Sequence, residues 1–243
     1  MTYYKSLSAD GCSCHGGHSK WNLPSLQSDG TYKPGRWMPR VTDIKPCERG
    51  YHVFSRKDIL QWINATLYEA EIRGETIDHG DKTVAQSARL IRPIPGCNER
   101  TLRLFACRVA EDALPLFEAQ YPSDYRPRKA IETARRYALA EVTPEELAAA
   151  WAAARDAGDA AGAAAMDAAW AAADAAWAAW AVAGAAADAA WAAADAAWAA
   201  ADAAAAAAAD ATWAAARAAA RAARDAAWGK YTDWLWEAIE GER

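Results

Sequence analysis

The sequence predicts an α+β protein: a small N-terminal α+β domain over residues 1–97, then an Ala/Trp-rich all-α helical hairpin or bundle over residues 98–243. Three observations lead there. The tract from Ala148 to Trp228 is mostly alanine, the strongest helix former, and no proline follows Pro144. The N-terminal half instead holds short runs of β-branched and aromatic residues, punctuated by proline and glycine. Charge divides at about the same place: residues 1–142 carry 21 Lys/Arg against 17 Asp/Glu, net +4, and residues 143–243 carry 6 against 15, net −9.

In chain order, Tyr3–Leu7, Gly50–Phe54, Ala65–Glu71 and Val84–Ile91 read as strands. Residues 22–49 hold Pro24, Pro34, Pro39 and Pro46 with several glycines and read as loop. Lys57–Ile63 has helical spacing, with Ser55 as its N-cap. Pro93-Ile94-Pro95-Gly96 closes this half. From Asn98 the pattern turns helical, with Leu102, Leu104, Phe105, Val109 and Leu114 as an apolar stripe. Tyr121–Pro127 is a turn, and Arg128–Ala140 a second helix. Thr143-Pro144-Glu145-Glu146 is a capping box that starts the next: Thr as cap, Pro at the first position, Glu at the third. A last helix spans Tyr231–Ile239.

Within the alanine tract, Asp stands three residues before Trp at 167/170, 174/177, 188/191, 195/198, 210/213 and 225/228. Trp170, Trp177, Trp191 and Trp198 share one heptad position, so they are expected to form a buried seam, with Trp213 and Trp228 continuing it out of strict register. Gly184 lies midway among the four, so a turn there would pair 170 with 198 and 177 with 191. A continuous rod is the alternative, since one glycine costs only about 1 kcal/mol in a helix. Asp174, Asp188, Asp195 and Asp202 are expected to flank the seam as solvated charges and to offer an acidic docking surface.

Candidate chemistry is sparse. Cys12, Cys14, His15 and His18, with Cys47 and His52 farther on, are ligand types for zinc, but Cys-x-Cys is tighter than the usual gap and no second pair has finger spacing, so no metal is expected. Cys14 with His15 or His52 lacks an orienting carboxylate for nucleophilic work. Glu69 and Glu71 would share one strand face, read as solvated rather than as an acid/base pair. Arg217, Arg221 and Arg224 share a helix face and are read as balancing nearby acidic residues. No catalytic residue and no cofactor site is assigned. Five cysteines, an odd number, and an N-terminus (MTYYKSLSADG) without a signal-peptide pattern point to the cytoplasm. Aspartate almost every two turns excludes the tract as a membrane span. The acidic balance disfavours nucleic acid.

Residues 101–157 carry Leu114-Pro115-Leu116-Phe117-Glu118, Tyr121-Pro122 with Asp124, Arg126–Arg135 and Glu141 ahead of the alanine-rich helix. This resembles the immunity-protein family of bacterial polymorphic-toxin systems, with the similarity running to about residue 225. Residues 1–95 more loosely resemble an uncharacterised domain of phage and bacterial proteins, through Ser13–Gly17 with Trp21, Gly50–Val53, and Tyr68–Glu71 with Arg73-Gly74-Glu75. The resemblance implies a non-enzymatic binding protein of immunity or phage–host conflict type, occluding a toxin or defence protein. Two other readings stay open: a self-associating helical protein forming an oligomer or filament, and a nucleotide- or ligand-binding module using the Trp-rich helices or the N-terminal domain.

Overall fold

The structure, a computed structural model, describes residues 1–14, 19–64, 66–161, 166–171, 185–207 and 213–241. Two compact units emerge, Met1–Asn98 and Glu99–Gly241.

In the first unit, β1 (Tyr3–Leu7), β5 (Thr66–Asp78), β6 (Thr83–Pro93) and β4 (Tyr51–Val53) form an antiparallel sheet in the order β1-β5-β6-β4. A small hairpin, β2 (Ser25–Leu26) with β3 (Tyr32–Lys33), stands in the region expected to be loop. Leu7, Trp21, Met38, Val53, Ala70, Ala88 and Leu90 are its buried cluster. β4 pairs only with the start of β6. Farther along that edge the loop takes over: the N–H groups of Gly35, Met38 and Val41 donate to the carbonyls of Leu90, Ala88 and Gln86 at 2.9, 2.8 and 2.9 Å. Backbone polar groups that leave water are thus paired without a full strand.

β5 runs well past the expected Glu71. A register shift between Arg73 and Thr76 lets it continue, with Gly74 at φ +85°. Buried Gln86 supports the bulge: its Oε1 accepts from Arg40 and from the Glu75 N–H, and its Nε2 donates to Glu75. A Cβ on Gly74 would lie 2.6 Å from that Oε1, so the site requires glycine on both counts. Glu69 and Glu71 do share a strand face, but each pairs across to β6, with Arg92 and Arg89 at 2.7 Å. Ser55 departs from its expected role. It precedes a 3-10 turn (Arg56–Asp58) that leads into one turn of helix, α1 (Ile59–Trp62), and its hydroxyl donates to Asp58 at 2.6 Å rather than accepting a backbone N–H.

The second unit is helical: α2 (Glu99–Gln120), α3 (Arg126–Ala138), α4 (Pro144–Asp159), α5 (Ala185–Ala207) and α6 (Trp213–Gly241), with residues 166–171 also helical. α2 is central. It packs against α3, α5 and α6, and buries Leu102, Phe105, Val109, Ala113, Leu114 and Phe117. Leu104 of the expected stripe is only half-buried. Arg135–Glu111 and the two-pronged Arg128–Glu118 contact tie α3 to α2 at 2.6 and 2.7 Å. α3 begins two residues earlier than expected, because Pro127 is tolerated in the first turn, where its missing N–H has no partner to lose. The Thr143 capping box is present in full: Thr143 Oγ1 accepts from Glu146 N at 3.2 Å, and Thr143 N donates to Glu146 Oε2 at 2.8 Å. The expected last helix is the end of the 29-residue α6, where Tyr231, Leu235, Trp236 and Ile239 are buried. Asp112 on α2 accepts from the Tyr231 hydroxyl at 2.8 Å and pairs with Lys230.

Candidate functional site

Among the described side chains of α5 the buried ones are alanines. Ala192, Ala196 and Ala199 recur at helical spacing on one face, and Ala197 and Ala201 lie on another, so a helix packed against both α2 and α6 uses its smallest side chains at both contacts. Trp198 is 53 % exposed. This corrects its expected place in a buried seam. A heptad groups residues on a face without saying which face turns inward, and two helices at close distance leave room for Ala and not for indole. Trp198 shares the outer strip with Asp195 and Asp202, three and four residues to either side, both partly exposed. The Arg224 guanidinium stands 5.7 Å from the Trp198 ring and also binds Asp225 at 3.0 Å.

Trp170 is half-buried against α4: a Cβ on Gly158 would lie 2.3 Å from its ring, and Arg155 stands 5.4 Å from the ring centre. Burial, and then the neighbouring Asp202 carboxylate, raises the Asp167 carboxyl above its ordinary value. Trp228 is half-buried. Asp174, Trp177 and the expected turn at Gly184 lie outside the described residues, as do the side chains of Asp188, Trp191, Trp213 and Arg217.

The first unit contains a cavity of about 360 Å³ that spacing alone did not reveal. Its walls include Trp21, Tyr51, Phe54 and Trp62, with Lys5, Lys82 and His52 as the basic groups. β1 brings Lys5 in: Tyr3, Lys5 and Leu7 alternate onto one face, and Leu7 is fully buried, so the lysine enters on the inward side. Its ammonium lies 5.3 Å from the Trp21 ring centre and forms no ion pair among the described residues. Burial lowers its pKa to about 8, only partly countered by Cys14. Lys82 stands 4.4 Å from the Trp62 ring centre and 3.8 Å from Asp81. The Trp21 and Trp62 N–H groups donate to Ser13 Oγ and the Asp81 carbonyl, each at 2.9 Å, which fixes both rings. His52 accepts the Cys47 N–H at 3.0 Å through Nε2, and burial, then Lys5 and Lys82, lower its pKa, so it is a neutral brace. The signal available in the sequence was the single charge at an inward position of an apolar, alternating strand.

Cys14, Cys97 and Cys107 show no activation. Cys14 contacts the Ser6 carbonyl at 3.5 Å and burial raises its thiol, against the pull of Lys5; Cys97 and Cys107 are pushed up to about 12 by burial. Among the described residues no three His, Cys, Asp or Glu side chains gather as a metal site, and His15 and His18 lie outside those residues. Because the folded chain keeps Cys97 and Cys107 protonated where an unfolded chain releases protons above pH 9, their contribution to stability is expected to be lost as pH rises from 9 toward 12. A thiol-reactive dye should label exposed Cys47 first, and Cys97 and Cys107 only on unfolding. Equal native labelling of all five would contradict this burial.

Among the described residues no helix is long and apolar enough to cross a membrane. Residues 96–199 match the model of a family described as Imm-5 like putative immunity protein. The match begins just ahead of α2 and takes in the Leu114–Arg135 segment on which the resemblance rests. No curated protein and no solved structure matches the chain.

Proposed function

We propose that this chain, whose residues 96–199 match an immunity-protein family, is a non-enzymatic immunity-type protein that binds and occludes a toxin or defence protein. The family match is the observation that carries the reading. Its docking surface is the acidic outer strip of α5, Asp195 and Asp202 around the exposed Trp198, with Asp174 and Asp188 as further positions of the same heptad row. An exposed tryptophan amid small residues supplies the large contact area that binding energy concentrates on, and carboxylates beside it steer a basic partner. The strip also suits a second copy of the chain, and exposed Trp198 is the observation that favours self-association; sedimentation at increasing concentration separates the two readings.

The test is protection. A toxin encoded beside this gene should arrest growth when expressed alone and fail to do so when this chain is co-expressed. Killing unaffected by the chain would overturn the reading. Asp195→Asn with Asp202→Asn keeps the shape of both partly exposed side chains and should leave the fold intact. The same pair should slow association with the partner and flatten its salt dependence. An unchanged association rate would remove this strip from the interface.

A further inference from the structure

We propose that the cavity of the N-terminal unit is a binding site for a small aromatic oxyanion, such as an aryl phosphate or aryl carboxylate, with Lys5 as its charge partner. The site is independent of the helical docking surface.

At about 360 Å³ the cavity is within the range of small-molecule sites. Lys5 projects into it from the inward face of β1, with a tryptophan ring but no carboxylate beside it among the described residues. A cation taken out of water without an anion is costly, and a chain that keeps one has a use for the charge or a partner that arrives later. The second lysine, Lys82, borders the same space, with 11 % of its side chain exposed, and leans on Trp62. Glu48 is the one carboxylate among the lining residues, and its side chain is 72 % exposed and turned to Lys45 at 3.9 Å. Lys82 is paired with Asp81 at 3.8 Å, so Lys5 is the lining lysine left without a counter-ion among the described residues.

The walls specify the rest of the ligand. Trp21 and Tyr51 meet edge to face with centroids 5.6 Å apart, and Phe54 and Trp62 complete the aromatic lining. The indole N–H groups are already committed to Ser13 and Asp81, so these rings offer faces and edges rather than donors. A flat apolar body between such rings with an oxyanion at Lys5 satisfies both halves of the site. Neither a free inorganic ion nor a neutral aromatic does.

Lys5 makes the idea testable without loss of the fold. The fold holds the Lys5 ammonium at a cost below pH 8, a cost that fades as pH rises from about 8 to 10.5, where the unfolded chain also loses the proton. Lys5→Met should therefore melt no lower than the parent chain at pH 7. Titration of the full chain with phenyl phosphate, followed by tryptophan fluorescence and calorimetry, should give saturable binding. Benzyl alcohol should not bind, and inorganic phosphate should bind more weakly. Lys5→Met should lose at least tenfold in affinity for phenyl phosphate, and Lys5→Arg should retain most of it. Binding should weaken as pH rises through 8 in the parent chain, and this dependence should vanish in Lys5→Met. No response to millimolar phenyl phosphate, or equal affinity in Lys5→Met, overturns the proposal. Failure here leaves the growth-protection result standing, since phenyl phosphate binding and toxin protection are separate readouts.

Discussion

Gly35→Ala is expected to be the most damaging small substitution in the first unit. A Cβ at this position would lie 2.0 Å from the backbone oxygen of Asn22 and 2.9 Å from its carbonyl carbon. No rotamer relieves that contact, because both partners are main chain. Gly35 cannot retreat either: its N–H donates to the Leu90 carbonyl at 2.9 Å, the first of the three bonds that pair the loop with the β6 edge. Forcing extra volume into a packed site typically costs 1–3 kcal/mol, and a backbone-to-backbone clash belongs at the upper end, about 3 kcal/mol. For a unit of this size that corresponds to a loss of roughly 12 °C or more in melting temperature. Gly229→Ala gives the contrast. Nothing lies within 4 Å of its Cβ position, on the exposed surface of α6, so alanine should raise stability by up to about 1 kcal/mol through helix propensity. A Gly35→Ala chain that melts with the parent would show that the segments at Asn22 and Gly35 do not pack this closely.

These glycines mark where the sequence stops being readable. Local rules suffice wherever a single segment determines its own conformation. Thr143 and Glu146 form a cap because each satisfies the other's backbone within one turn, and Tyr3–Leu7 alternates because one side faces a core. Long-range partners are another matter. The strand expected to end at Glu71 instead runs through a bulge at Gly74, since the Gln86 that supports it is twelve residues away on β6. Glu69 and Glu71 look solvated until the β5–β6 register sets Arg92 and Arg89 opposite them. The cavity around Lys5 draws its lining from β1, β4 and the loops that follow, so no spacing encodes it. Lys5, a lone charge within the β-like stretch Tyr3–Leu7, was passed over in the sequence.

The tryptophan repeat is the sharpest instance, and truncating two of its members with alanine should separate periodicity from packing. Trp198 belongs to the in-register set but stands 53 % exposed, while Trp236 lies outside that set and is 1 % exposed. Trp236 sits in the last turns of α6, where Tyr231, Leu235 and Ile239 are also buried. On the same stretch Arg108 from α2 stands 4.0 Å from the Trp234 ring centre and bonds Glu237 at 3.0 Å. Replacing a large, fully enclosed aromatic leaves a cavity that the surrounding helices cannot close, at a cost of about 3–5 kcal/mol. Trp198→Ala removes a ring already half in water. Its loss should cost about 0.5 kcal/mol, the scale of surface changes, because Ala192, Ala196, Ala197, Ala199 and Ala201 keep the contacts of α5. Denaturant unfolding of both variants, with the slope unchanged, measures the difference directly. If the outer strip is the docking surface, Trp198→Ala should instead speed dissociation of the partner, and Trp236→Ala should act on binding only through the folded fraction. Comparable destabilisation by the two substitutions would place Trp198 in a packed seam after all, and would move the partner surface elsewhere.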